Sequence, residues 1–257
     1  VPWGDLTRVA VAVERWAFPG ECLLCRTATN AVRDPLICDL CRSRWPRLPE
    51  PLCPQCGQPE EAGLPCRLCA DWTPPIPRVR SAVWLDDSAR RTVHALKYHG
   101  WTRTVEAMAL AMLPLPLLAC PDAVLIPVPL GSARRRARGY NQSELLAWEI
   151  GRLRGMVVDT QRVRRIRHTV TQTRLTPEER RANLAGAFQA DGATGLHCVL
   201  VDDVFTTGAT LLAVADALWR AGASSVSAVT FGRALRPLDG VDASDTHLDL
   251  NVPFRET

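Results

Sequence analysis

Two groups of residues in this 257-residue chain have the types and spacing to do chemistry. The first is a set of four C-x-x-C pairs: Cys22/Cys25, Cys38/Cys41, Cys53/Cys56 and Cys66/Cys69. Each pair fits a tight turn that aims two thiolates at one ion, and two such turns complete a tetrahedral zinc site. Eight thiolates therefore predict two Zn²⁺ ions. Pairing the first four and the last four closes shorter loops than interleaving them, which remains the alternative. Four sulfurs per ion leave no coordination position open, so both sites are expected to be structural. Disulfides would need an oxidising compartment, and a redox dithiol would be one pair rather than four in series.

The second group is Val199-Leu200-Val201-Asp202-Asp203-Val204-Phe205-Thr206-Thr207-Gly208-Ala209-Thr210. It reads as a buried strand, two acids, a turn rich in hydroxyls, and then a helix. Such a turn offers backbone N–H groups, threonine hydroxyls and a helix N-terminus to a phosphate, and Gly208 lets the backbone approach it closely. The adjacent carboxylates are placed to accept from the vicinal hydroxyls of a sugar. An ordinary helix start needs one capping residue, not two acids followed by T-T-G-A-T. Neither G-x-G-x-x-G nor G-x-x-x-x-G-K-[ST] is present, which disfavours those nucleotide folds.

The elements around these residues alternate. Residues 81–85, 123–127, 196–201 and 225–231 read as strands, and 89–97, 102–113, 141–153 and 209–221 as helices. Apolar rather than alternating strands imply a parallel sheet covered on both faces. The expected class is therefore α/β, a parallel sheet flanked by helices, preceded by a small Cys-rich region that folds on metal. The expected boundaries are 1–72 for an N-terminal helix and the zinc region, 73–80 for a proline-rich linker, 81–235 for the α/β domain, and 236–257 for a tail. Pro74, Pro75 and Pro77 rule out a helix in the linker, so losing a zinc ligand is expected to unfold the cysteine region alone. Cys120 and Cys198 lie in apolar stretches and are expected to be buried.

Net charge is +4, but residues 131–190 hold thirteen Arg against five acids. One basic block of this kind suits an anionic ligand, or is simply a solvated surface. Of 31 basic residues only Lys97 is lysine. Composition excludes wholesale disorder, and no apolar run reaches the ~20 residues of a membrane helix. Asp5, Arg8, Glu14 and Arg15 break up the start, unlike a signal peptide, so a cytoplasmic location and no membrane insertion are expected.

The acid-and-threonine segment resembles the phosphoribosyl-pyrophosphate (PRPP) motif of type I phosphoribosyltransferases. Further motifs narrow the resemblance to the ComF family of competence proteins, whose N-terminal part is a double zinc ribbon. They are the four cysteine pairs, Leu96-Lys97-Tyr98 with Gly100, Pro127-Val128-Pro129, Arg138-Gly139-Tyr140-Asn141-Gln142-Ser143, and Thr169, Gln172 and Leu175 followed by Glu179-Arg180, Asn183 and Ala187-Phe188. The resemblance spans about residues 20 to 235.

It implies that Asp202 and Asp203 hold the ribose hydroxyls and that Thr206, Thr207, Gly208, Ala209 and Thr210 hold the 5′-phosphate. It also implies that the loop from Val128 and Pro129, with Arg138, Tyr140 and Asn141, wraps pyrophosphate, and that Mg²⁺ bridges pyrophosphate and ribose oxygens. Arg134, Arg135 and Arg136 share that loop, and Arg138 is the expected catalytic arginine. Thr169, Gln172, Arg180 and Asn183 match a mobile catalytic loop. Purine-salvage relatives place an acid where this chain has Thr206, and orotate-type relatives use loop lysines. Glutaminase activity is not expected, because the chain begins Val1-Pro2-Trp3 rather than with a cysteine nucleophile. The resemblance thus implies phosphoribosyl transfer to an unidentified acceptor in DNA uptake or processing. The alternative is a non-catalytic module that holds single-stranded DNA or a competence helicase, with PRPP as a regulatory ligand.

Overall fold

The computed structural model describes residues 20–29, 36–60, 66, 68–70, 72, 76, 78–120, 122–167 and 182–234. Four parallel strands form the central sheet: β3 (Val79–Trp84), β4 (Val124–Pro127), β7 (His197–Phe205) and β8 (Ser225–Arg233), in the order β3-β8-β7-β4. In register, Ile126 pairs with Leu200, and Val201 with Val229. The nine-residue strands β7 and β8 lie in the middle, where burial on both faces demands the continuous apolar runs their sequences carry. Among the described residues no helix is long and apolar enough to cross a membrane.

Helices α2 (Asp87–Tyr98), α3 (Thr104–Met112) and α5 (Gln142–Arg154) cover one face. Val93, Met108 and Leu146 pack there on Val199, Val201 and Phe231. Helix α6 (Ala209–Arg220) covers the other face, where Leu211, Val214 and Leu218 meet Leu200 and Ala228. Asp86 starts α2 by accepting from the Ala89 N–H at 2.8 Å, and Asn141 starts α5 by accepting from the Ser143 N–H at 3.1 Å. These caps satisfy N–H groups that the helix itself leaves unpaired.

Three features depart from the sequence reading. The arginine block contains a short helix, α4 (Ser132–Arg138), with no buried residue and therefore no apolar repeat to betray it. Strands β5 (Val163–Arg165) and β6 (Phe188–Ala190) pair antiparallel as a small hairpin packed beside α6. Cys198 is buried as expected, whereas Cys120 is exposed, because it follows a 3-10 turn over Pro116–Ala119 that lifts it off the core.

Among its described residues the cysteine region holds a two-stranded ribbon, β1 (Gly20–Glu21) with β2 (Ala28–Thr29), and a short helix, α1 (Asp39–Ser43). It lies along β3, the edge strand, and satisfies part of its backbone. The Val79 N–H donates to the Gln55 carbonyl at 2.7 Å and the Trp84 N–H to the Pro46 carbonyl at 2.8 Å. Covering an edge in this way removes a row of unpaired groups. Cys22, Cys41 and Trp45 join the core under α2 and α3, with Trp45 edge-on to Phe231 at 4.9 Å between ring centroids. Cys53, Cys56, Cys69 and Trp72 join the core under α6. Gly57 has φ +69°, and a Cβ there would stand 2.6 Å from the Val79 carbonyl oxygen. Each face of the sheet therefore shares its core with one half of the cysteine region, so loss of a zinc ligand is expected to disturb the sheet as well, rather than the cysteine region alone.

Candidate functional site

The eight cysteines gather as Cys22, Cys25, Cys38 and Cys41 and as Cys53, Cys56, Cys66 and Cys69, with all four sulfurs of each set within 4.8 Å of one another. Zn–S bonds of about 2.3 Å in a tetrahedron put the sulfurs about 3.8 Å apart. The observed separations are 3.8 Å for Cys25–Cys38, 3.6 Å for Cys53–Cys69 and 3.4 Å for Cys56–Cys66. These spacings fit a shared ion and are far too long for disulfide bonds. Backbone N–H groups of Cys38 and Cys41 point at the sulfurs of Cys22 and Cys38, both at 3.4 Å. Burial, then crowding by neighbouring thiols, pushes Cys41 and Cys56 up and Cys69 up to about 12. Four such thiolates need a divalent cation to coexist. The chain thus carries two zinc-binding sites of four cysteines each, paired in sequence order.

The second site forms where β7 reaches its carboxyl end. Asp203 is buried, and its Oδ2 lies 2.7 Å from the Lys97 ammonium on the last turn of α2. Asp202 Oδ1 accepts from the Ser143 hydroxyl at 2.8 Å and from the Asp203 N–H at 2.9 Å. Burial pushes the Asp202 carboxyl up to about 7, the charge of Asp203 adds to this, and Ser143 and Lys97 pull it back. Two neighbouring carboxylates thus share one fixed cation and one hydroxyl donor.

The loop after β4 is tied to the same place. Val128 donates its N–H to the Val201 carbonyl at 3.0 Å, and its own carbonyl accepts from the Asn141 amide at 2.9 Å. Pro129 follows, half-buried, and α4 begins three residues later. The Tyr140 hydroxyl donates to the Leu96 carbonyl, one residue before Lys97. Half-buried Arg138 donates to Gln142 Oε1 at 3.0 Å and lies over the Tyr98 ring at 5.2 Å. Arg135 pairs with Glu144. Val128, Tyr140, Asn141, Asp202 and Asp203 therefore form one connected cluster, with Arg138 at its rim.

Thr206 and Thr207 make the turn beyond β7, and Gly208, Ala209 and Thr210 lead into α6. Gly208 has φ +77°, and a Cβ there would meet Trp72 Cζ2 at 3.0 Å and the Phe205 ring at 3.1 Å. Its hydrogen is required by the packing beneath the turn. Trp72 is tied to Cys69 through its own N–H at 3.2 Å, and the Arg233 guanidinium lies 4.1 Å over the Phe205 ring. Arg233 also donates to the Cys56 carbonyl and, at 3.2 Å, to Gln58 Oε1. Trp72 and Phe205 thus form the floor of the turn, and both are tied to the second four-cysteine cluster, Trp72 directly and Phe205 through Arg233.

Asn183 lies at the foot of the β5–β6 hairpin, where its carbonyl accepts from Arg167 at 3.0 Å. Thr169, Gln172 and Arg180 lie outside the described residues. Sequence reasoning missed Ser143 and Lys97 as partners of the acids. Ser143 had no mark beyond its motif. Lys97 had one, as the single lysine among thirty arginines.

Residues 13–70 match the model of a double zinc ribbon domain, and residues 155–254 that of a phosphoribosyl transferase domain. The DNA utilization protein YhgH of Salmonella typhi is 37% identical over 226 residues, covering 84% of this chain and 98% of that protein. Its counterpart in Escherichia coli K12 is 35% identical with the same coverage. The competence protein ComFC of Bacillus subtilis is 29% identical over 210 residues, covering 78% of this chain and 85% of that protein.

Proposed function

The chain belongs to the family of ComFC and YhgH, and from that premise we propose that it binds Mg²⁺-PRPP and transfers the phosphoribosyl group during DNA uptake or processing. The observation that carries this reading is the pair Asp202–Asp203, held at a strand end immediately before a glycine turn that opens a helix. In this reading the two carboxylates accept from the ribose hydroxyls, and the turn of residues 206–210 binds the 5′-phosphate. Its backbone N–H groups and the start of α6 favour an anion. The names of the relatives support a role in handling DNA, and the zinc sites serve the fold.

Transfer breaks the bond between the anomeric carbon and the pyrophosphate oxygen, and the electron pair leaves on pyrophosphate. The acceptor's nucleophile attacks the same carbon. Arg138 is fixed by Gln142 and Tyr98 at the mouth of the site, so it can meet the leaving charge without reorganising. Mg²⁺ would arrive on the oxygens of PRPP itself and neutralise part of that charge. The site suits such a ligand, because burial pushes the Asp202 carboxyl up to about 7 and hydroxyl donors from a ligand would favour its ionised form. Thr206 offers no carboxylate for proton transfer, which argues against purine-type acceptor activation.

Mixing zinc-loaded protein with Mg²⁺-PRPP and a panel of nucleobases and single-stranded oligonucleotides tests the proposal. Pyrophosphate release with one acceptor is the expected result. Tight PRPP binding without release, together with steeply salt-dependent oligonucleotide binding, would favour the non-catalytic reading that the exposed Arg134, Arg135 and Arg136 support.

A further inference from the structure

We infer that Lys97 is the positioning residue of the acid pair: its ammonium holds the Asp203 carboxyl in place through one oxygen and leaves Asp202 free to exchange partners when ligand hydroxyls arrive. The inference rests on the PRPP reading for its consequence, and on geometry alone for the pairing.

Lys97 and Asp203 are both buried, and their charged atoms are 2.7 Å apart. A buried carboxylate beside a second carboxylate cannot stay ionised without a cation close by. Lys97 is that cation, and it comes from α2, an element outside the turn and the pyrophosphate loop. Its position is held from both sides. The carbonyl of Leu96 accepts from Tyr140, and the ring of Tyr98 carries the Arg138 guanidinium. Both partners belong to the segment running from the end of α4 to the start of α5, so the lysine, the loop and the acids are fixed to one another.

The residue type matters in a chain whose other thirty basic residues are arginine. An ammonium is a compact point charge that can address one carboxylate oxygen, whereas a guanidinium fork takes both in a bidentate pair. Lysine therefore holds Asp203 through Oδ2 and leaves its other oxygen for a hydroxyl donor. Asp202 has no cation of its own and is held by Ser143 Oγ and the Asp203 N–H. Two acids facing one ammonium suit hydroxyl donors and a ligand-borne cation.

Among the described residues, the groups shown acting on the pair are Lys97 on α2 and Ser143 on α5, besides the two acids themselves on β7.

The test uses the full zinc-loaded chain, with aspartate carboxyl ¹³C NMR titrations and Mg²⁺-PRPP calorimetry on wild type, Lys97→Met and Lys97→Arg. In Lys97→Met the Asp202 carboxyl should titrate higher than in wild type, because the Lys97 charge that pulls it down is gone, and PRPP affinity should fall ten-fold or more. In Lys97→Arg the Asp202 carboxyl should titrate as in wild type while PRPP affinity still falls, because the fork takes both oxygens of Asp203. An Asp202 titration unmoved in Lys97→Met, or full PRPP affinity in Lys97→Arg, would overturn the inference. A wild type that binds no PRPP, with Asp202 still responding to Lys97→Met, would overturn the PRPP reading and support the pairing.

Discussion

Replacing Gly208 by alanine probes the joint between the turn after β7 and the second zinc site. At φ +77° an L-residue costs on the order of 1–2 kcal/mol more than glycine. The new methyl would also stand 3.0 Å from Trp72 Cζ2 and 3.1–3.3 Å from the Phe205 ring. Neither ring can give way easily. Phe205 is buried beneath Arg233, and Trp72 is buried three residues beyond Cys69. Overpacking of this kind costs roughly 1–3 kcal/mol. The two contributions together come to roughly 2–5 kcal/mol. At about 2–4 °C per kcal/mol for a chain of this size, the melting temperature should fall by roughly 4–20 °C. Differential scanning calorimetry of zinc-loaded protein reads this directly, and a PRPP titration below the transition reads the damage to the turn. A Gly208→Ala protein that melts like wild type would refute the packing argument.

Three further expectations follow from the same contacts. Elemental analysis should find two zinc ions per chain, and chelation should lower the melting of the sheet as well as of the cysteine region, since both share each core. Arg233→Met should weaken PRPP binding while zinc content stays at two; burial holds this guanidinium down at about 10, and it links Cys56, Gln58 and Phe205. Asp202 is raised from 3.8 to about 7, so its ionisation costs the fold stability as pH climbs between those values and costs nothing below them. PRPP binding that needs the ionised form should accordingly weaken about ten-fold per pH unit below 7, by the linkage of one proton, and Asp202→Asn should flatten that dependence relative to wild type.

The parts of the fold that were legible in the sequence are those encoded locally. Cysteine spacing announced two metal sites because the ligands of each site are close in the chain. The acids and threonines between 202 and 210 announced a strand, a turn and a helix start because the three are contiguous. The hairpin of β5 and β6 was hidden, as three-residue strands such as Val163–Arg165 carry too little alternation to read. Helix α4 was hidden because its surface is solvated throughout. The junction between the zinc region and the sheet was hidden for another reason. It is built from pairs such as Trp45 with Phe231 and Gln58 with Arg233, far apart in sequence and individually unremarked. Lys97 lies between these cases. Its rarity marked it, but only the fold brought it to Asp203.

The most direct test of the central claim is calorimetric titration of Mg²⁺-PRPP into zinc-loaded wild type and into Asp202→Asn/Asp203→Asn. Asparagine keeps the shape of each side chain while removing its charge. Each charge-assisted bond to a ribose hydroxyl is worth on the order of 1.5–3 kcal/mol, and about 1.4 kcal/mol is a factor of ten. The account predicts saturable binding to wild type and binding at least ten-fold weaker to the double variant, with both proteins folded and carrying two zinc ions. Equal affinity in the two proteins, or no binding to wild type, would contradict it.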